Sequence, residues 1–417
     1  MQDEIRTHLK QAKEAARKLR QVSPEIINKL LKDIAQALLS NQDLILEANQ
    51  KDLDRMDEQD PKYDRLKLTS ERIESIAVSI EQVSCLESPL GQNFDAKTLE
   101  NGLSVHKTKI PIGVLGMIYE ARPNVTVDAF SIGFKTKNVV CLKGGSDAKD
   151  SNEVLVKLIQ EVLQQHDLPI SCIYLLPADR EAVKVLLQAD EYVDVIIPRG
   201  SQGLIKFVRE NSKVPVIETG AGVVHTYFDA LGDTEKAKKI ILSAKARRPS
   251  VCNALDCLLI HKDRLSDLAE LVHELENYNV HLFAEEKALA SLTGHYKSEL
   301  LSPAKAEHFG TEFLGFQAVI KTVESLEEAC DHIYQYSSGH SDAIITEDQT
   351  SAEYFLNQID SACVFWNTET GFSDGEQLGL GAEIGISTQK LHARGPMALE
   401  AMTTYKWVIV GEGQVRM

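Results

Sequence analysis

The stretch Val139-Val140-Cys141-Leu142-Lys143-Gly144-Gly145-Ser146 decides the fold. Four apolar residues without alternation are too few for a helix and read as a strand buried on both faces; the glycine pair behind Lys143 then turns the chain out of the sheet. Working outward, 172–176, 193–197 and 214–217 repeat the short apolar run, with amphipathic segments near 151–165, 179–188 and 201–210 between them. That alternation predicts βαβ units and an open, mainly parallel sheet beginning near residue 112.

A second alternation follows: helix near 233–246, strand 255–261, helix 264–275, strands 279–283 and 316–322, helix 325–336, strand 342–346, helix 350–358 and strand 362–366. Ser325 and Glu328 form a capping box for one of these helices. Two α/β domains joined near 229–235 are therefore expected. Upstream, residues 1 to about 85 are helical by spacing. Ile26, Leu30, Ile34 and Leu38 recur behind Ser23 and Pro24, and Ile73, Ile76, Ala77, Ile80 and Val83 recur behind Thr69. The charge-crowded stretch 49–63 reads as a solvated loop or exposed helix end. Gly371, Gly375, Gly379, Gly381 and Gly385 permit backbone close to a ligand or a partner domain, and 403–410 is a strand in need of a partner.

Of the 417 residues 43% are hydrophobic and 26% charged, which excludes disorder, collagen and coiled coil for the whole chain. A formal net charge of −17 repels phosphodiester backbones and anionic lipid, so nucleic acid and membrane surfaces are excluded as partners. An anionic small substrate must then meet a local basic pocket. No apolar run is long enough for a membrane span and residues 1–20 are charged and unlike a signal peptide, so a cytoplasmic location is expected. The seven cysteines are odd in number and lack CxxC spacing, arguing against a disulfide framework or a zinc site; without HExxH or HxH, metal catalysis has no support.

Five segments could carry chemistry. In Lys245-Ala-Arg-Arg-Pro-Ser-Val-Cys252-Asn253 a thiol follows three cations, which favour the nucleophilic thiolate, although a single cysteine is ordinarily a small buried hydrophobe, as Cys257 is expected to be. The turn Pro198-Arg199-Gly200-Ser201-Gln202-Gly203 offers amides and a helix dipole to a phosphate, without being a GxGxxG fingerprint. Lys143 ends a buried strand at the edge where α/β folds bind ligands. Tyr119-Glu120-Ala121-Arg122-Pro123-Asn124 brings acid, base and amide groups together, and Gln389–Pro396 adds a second cationic cluster. His392 there is compatible with a base, a loop-orienting group or an anion ligand.

YEARPNVTVD at 119–128, RPS-C-N within 248–253, VFWN at 364–367 and STQKLHARGPM at 387–397 make the whole chain resemble the γ-glutamyl phosphate reductase branch of the aldehyde dehydrogenase superfamily. The resemblance implies two Rossmann-like open-sheet domains plus a β oligomerisation arm. It implies a cofactor-binding domain over 1–95 and 111–230, a catalytic domain over 231–385 and an arm over 96–110 and 386–417. Cys252 then falls at the nucleophile, with Asn253 or the Cys252 amide serving the oxyanion. Lys143 falls on the adenosine ribose, Pro198, Arg199, Gly200, Ser201 and Gly203 near the pyrophosphate, and Glu312 on the nicotinamide ribose. Arg122, Asn124, Arg248 and Arg394 are candidate clamps for phosphate and carboxylate.

The implied reaction is NADPH-dependent reduction of γ-glutamyl 5-phosphate to glutamate 5-semialdehyde and phosphate through a Cys thioester, the second step of proline biosynthesis from glutamate. A homo-oligomer is implied, and glutamate 5-kinase as the partner that makes the acyl phosphate. Nothing in the residues alone decides NADP over NAD. The rival reading is an oxidising aldehyde dehydrogenase with Glu218 of Glu218-Thr-Gly-Ala as the base that activates water; another is a binding protein that keeps the fold without turnover.

Overall fold

The structure is a computed structural model that describes residues 1–60 and 62–416. It divides into two compact units: Met1–Thr219 with Gly379–Gly385 and Met397–Met417, and Gly220–Leu378 with Ile386–Pro396.

In the first unit Ser23 Oγ accepts from Ile26 N and Pro24 opens the helix Pro24–Ser40, as the sequence predicts; Thr69 caps the helix Ser70–Cys85 in the same way. The charged stretch is not simply solvated. The helix Gln42–Leu53 runs into it and buries Asn49 and Asp52. Asp52 accepts from Ser151 N at 2.8 Å, Asp150 N at 3.1 Å and Ser151 Oγ at 2.6 Å, so its carboxylate satisfies orphan amides at the start of the helix Lys149–Gln165.

The strands of this unit are β1 (Asn93–Thr98), β2 (Ser104–Pro111), β3 (Val114–Tyr119), β4 (Val139–Gly144), β5 (Ile173–Leu175) and β6 (Val195–Arg199). β5-β4-β3-β6 form a parallel sheet whose β3 and β4 are buried throughout. The expected strand over 214–217 is only an isolated bridge, Val216 to Ile196, because Pro215 has no N–H for a ladder and gives just its carbonyl to Ile196 N. β1, β2 and the C-terminal strand Thr403–Val410 form a separate antiparallel sheet in that order, so the last strand finds its partner in β2 of its own chain. The stretch Ile386–Pro396, expected in the arm, belongs to the second unit instead, where the two-residue strands Ile386–Ser387 and Gly395–Pro396 pair with each other.

The second unit is built on β7 (Val224–Phe228), β8 (Leu255–His261), β9 (His281–Ala284), β10 (Leu301–Pro303), β11 (Gln317–Val323), β12 (Ser341–Ile345) and β13 (Cys363–Trp366). These strands make one parallel sheet in the order β10-β9-β11-β8-β7-β12-β13. β7 lies beside β8 inside this sheet, so the unit begins at Gly220 rather than at residue 231. The alternation of β8 sorts the core: Leu258 and Ile260 pack with Ile241 and Leu268 on one face, Cys257 and Leu259 with Ile333 and Phe355 on the other. Each fully buried Leu or Ile contributes roughly 1.5–3 kcal/mol. Ser325 caps its helix through Glu328 N, but the Glu328 carboxylate returns to Glu324 N, one residue before the cap. The helix expected over 264–275 is broken into 3-10, α and 3-10 turns over 262–278. Among the described residues no helix is long and apolar enough to cross a membrane.

Candidate functional site

In the second unit the helix Thr234–Ala246 ends, the chain turns through 247–254, and β8 begins. Cys252 lies on this turn and is half-buried. The turn is pressed against Gly222: a Cβ there would overlap Cys252 O and lie 2.5 Å from Cys252 C, so the backbones touch only because residue 222 has no side chain. Gly222 N donates to Glu312 Oε1 at 2.9 Å. One glycine thus links Glu312 to the Cys252 turn, a connection that the sequence spacing does not reveal.

The three cations upstream of Cys252 do not act together. Lys245 is fully buried; its Nζ donates to Leu255 O at 2.8 Å and lies 3.7 Å from Asp256 Oδ1. Burial pushes the lysine pKa down and holds the Asp256 carboxyl up at about 6, the latter opposed by Lys245 and by bonds from Phe313 N and Val224 N. Asp256 therefore ties the Glu312 loop and the start of β7 to the strand behind Cys252. Arg247 lies 3.8 Å from Glu369, and Arg248 is exposed.

Asn253 is buried, and its amide donates to Gly371 O at 3.3 Å and Ser373 Oγ at 3.1 Å. Both of its donors are committed, so they hold the turn rather than stand free for an oxyanion. Arg394 is likewise engaged, through Nη1 to Asp360 Oδ1 at 2.8 Å, and Lys390 pairs with the same carboxylate. His392 is exposed. Of the other cysteines, burial pushes the Cys141, Cys172 and Cys330 thiols up to about 12, which keeps them protonated.

In the first unit Lys143 is buried at the carboxyl end of β4, its Nζ donating to Gly144 O at 2.8 Å and Ala178 O at 3.1 Å, and burial lowers its pKa. Beside it opens a cavity of about 760 Å³ lined by Gly144, Gly145, Leu176, Pro177, Ala178 and Asp179 among others. Pro198 and Arg199 end β6, and Ser201 caps the helix Gln202–Asn211. The Glu120 carboxylate already occupies this turn: Ser201 N donates to it at 3.0 Å and Ser201 Oγ at 3.2 Å. A Cβ on Gly203 would meet nothing within 4 Å, whereas one on Gly200 would meet Glu120 at 2.8 Å. Asn124 donates to Asp128 at 3.0 Å, and Arg122 precedes the helix Pro123–Lys135. Glu218 accepts from Arg209 at 3.3 Å. Lys143 and the Pro198–Gly203 turn thus belong to one unit with Arg122 and Asn124, and Cys252, Asn253, Glu312, Arg248 and Arg394 to the other.

The aldehyde dehydrogenase family model matches residues 1–289. A gamma-glutamyl phosphate reductase from Chlorobium phaeobacteroides is 55% identical over 416 residues, covering 100% of both chains. One from Bacteroides thetaiotaomicron is 53% identical over 96% of each. The crystal structure of the gamma-glutamyl phosphate reductase from Thermotoga maritima covers 100% of both chains with a TM-score of 0.94 at 39% identity.

Proposed function

Because the chain belongs to the aldehyde dehydrogenase family, within its gamma-glutamyl phosphate reductases, we propose that it reduces γ-glutamyl 5-phosphate to glutamate 5-semialdehyde and phosphate with NADPH, in proline biosynthesis. The observation that carries the chemistry is the half-buried Cys252, on a turn fixed by Gly222, Asn253 and Asp256. As thiolate, Cys252 attacks the acyl carbon, the bond to the phosphate oxygen breaks, and phosphate leaves with the electron pair, giving a thioester. A bound NADPH would supply the hydride for the thioester carbonyl carbon, and the C–S bond then breaks, the electron pair returning to Cys252 as thiolate as the aldehyde is released. The Cys252 backbone amide is the candidate oxyanion donor, with Asn253 as the positioning residue beneath it. Arg122, Asn124 and Arg248 remain candidates for the substrate's anionic groups, and Arg394 would have to leave Asp360 to join them.

A nicotinamide cofactor fits the first unit, on two counts. The Ser201 turn already holds an anion, the Glu120 carboxylate, as a pyrophosphate-binding turn must. Gly144 and Gly145, directly after Lys143, border open volume at the strand end. Lys143, Pro198, Arg199, Gly200, Ser201 and Gly203 are the residues proposed to hold it there, and Glu312 is the one proposed from the second unit. In this reading the first unit binds cofactor, the second performs catalysis, and the β1–β2–C-terminal strand sheet is an oligomerisation arm. Tyr405, Trp407 and Ile409, between 50% and 61% exposed on its edge strand, are the apolar surface another copy would cover. Sedimentation at micromolar concentration is expected to give a dimer or larger; a clean monomer removes the arm.

The deciding assay runs the reaction in reverse. With glutamate 5-semialdehyde and NADP⁺, NADPH is expected only when phosphate or arsenate is present. NADPH formed equally well without either anion overturns the proposal in favour of hydrolytic oxidation with Glu218 as base. The bond from Arg209 to Glu218 supports a structural role for that carboxylate instead.

A further inference from the structure

A cluster remote from the proposed chemistry lies within the second unit. His225 of β7, Cys257 of β8 and His332 of the helix Leu326–Tyr336 bring one ligand atom each to within 4.8 Å of one another, and their exposures are 0%, 1% and 6%. Among the described residues neither ring nitrogen of His225 makes a hydrogen bond of good geometry, although both are buried and Asp342 and Cys257 lie beside the ring. A poorly satisfied imidazole in a core is costly, because its water is gone and these neighbours replace it only at poor geometry. Its Nδ1 faces Asp342 Oδ1 at 3.3 Å, leaving Nε2 for another partner. Cys257 Sγ lies 3.8 Å from His332 Nε2.

From this geometry we propose that His225, Cys257 and His332 form a buried zinc site of three protein ligands, whose fourth position is left to a small non-protein ligand such as water. Bonds of about 2.3 Å to sulfur and about 2.1 Å to nitrogen, opened by roughly 110–120°, span an S···N edge of roughly 3.6–3.8 Å, which the Cys257–His332 separation matches. A thiolate with two imidazoles is a borderline-soft donor set that suits zinc and not magnesium or calcium. The nearby charges also balance: the Cys257 thiolate and the Asp342 carboxylate together offset a divalent cation in an interior that tolerates no net charge. Asp342 orients rather than ligates. Its Oδ1 accepts from His225 N at 2.9 Å, its Oδ2 from Ser337 Oγ at 2.7 Å and from Ser361 Oγ, and it sits behind the His225 ring as carboxylates sit behind metal-bound histidines. His332 is held from the other side by Tyr336, with ring centroids 4.6 Å apart, and by the edge of Phe309 at 5.4 Å. The ion would cross-link β7, β8 and that helix, fixing the strand that begins three residues after Cys252.

The test uses the full-length protein, unfolded and refolded with chelator, with Zn²⁺, or with Co²⁺ as the spectroscopic probe. About one Zn²⁺ per chain is expected to survive exhaustive dialysis and to raise the thermal midpoint. The Co²⁺ form is expected to show a near-ultraviolet thiolate-to-cobalt band, with intense visible bands from low coordination number. Cys257→Ala and His332→Phe should each abolish the band and the midpoint shift, while Cys252→Ser keeps both. Absence of stoichiometric metal in the refolded wild type overturns the site, as does a band that persists in Cys257→Ala or disappears in Cys252→Ser. If Cys257→Ala fails to fold, His332→Phe, which keeps the aromatic packing, decides together with the wild-type stoichiometry.

Discussion

Replacing Gly222 by alanine is expected to disable the proposed catalytic turn at Cys252 without unfolding the unit that carries it. The added Cβ would overlap Cys252 O and lie 2.5 Å from Cys252 C, both backbone atoms that cannot rotate away as a side chain can. Restoring an ordinary contact needs the turn to recede by about 1.5–2 Å, and since roughly an ångström of displacement at a reacting group already costs on the order of 100-fold in rate, at least that loss is expected. That is roughly 2.7 kcal/mol of lost transition-state stabilisation. The same shift lengthens the Gly222–Glu312 bond, so both candidate groups move together. The assay is phosphate-dependent NADPH formation, with the iodoacetamide alkylation rate of Cys252 as a second readout and circular dichroism as the folding check. Gly310→Ala is the control, since its new methyl would meet only Tyr336, at 3.6 Å. A folded Gly222→Ala enzyme with kcat within twofold of wild type would refute the claim that contact with residue 222 sets the position of Cys252.

Asp52→Ala should cost about 2–3 kcal/mol in urea unfolding, because it strips a buried carboxylate from two amides and a hydroxyl at the start of the helix Lys149–Gln165; a loss below half a kcal/mol counts against that role. Burial raises the Asp256 carboxyl from 3.8 to about 6, so the folded chain holds this proton more tightly than the unfolded chain. Its stabilisation is full below 3.8 and is lost as pH rises through about 6; the urea midpoint of Asp256→Asn should therefore fall less across that interval than that of the wild type, and equal slopes would contradict the assignment. Glu120→Gln removes the charge that occupies the Ser201 turn and should lower KM for NADPH about two- to fivefold; a raised KM would mean that Glu120 assists the cofactor instead.

Much of the architecture was legible because local pattern and burial agree. The apolar runs of β4, β8 and β12 read as strands, and Ser23, Pro24, Thr69 and Ser325 marked helix starts that the structure keeps. β7 escaped because His225 and Thr226 interrupt its apolar run, although both are fully buried in the sheet. The 214–217 run misled because hydrophobicity does not report the missing N–H of Pro215. Asp52 looked like surface charge, since its partners lie about a hundred residues away at Asp150 and Ser151. At the candidate site the motif around Cys252 was visible, but the contacts that assign its neighbours were not. Lys245 turns inward to Asp256, Asn253 spends its donors on Gly371 and Ser373, and Arg394 is neutralised by Asp360. Residue type and spacing nominated these groups; only the folded geometry shows where each donor is spent.

The covalent intermediate offers the most direct test. Wild-type protein is incubated with glutamate 5-semialdehyde and NADP⁺ without phosphate, quenched in acid and digested, and its cysteine peptides are weighed. A γ-glutamyl thioester on the peptide containing Cys252, discharged when phosphate is added before the quench, is the expected result. An adduct on any other cysteine, or an enzyme that turns over with Cys252 unmodified and replaceable by alanine, would contradict the account.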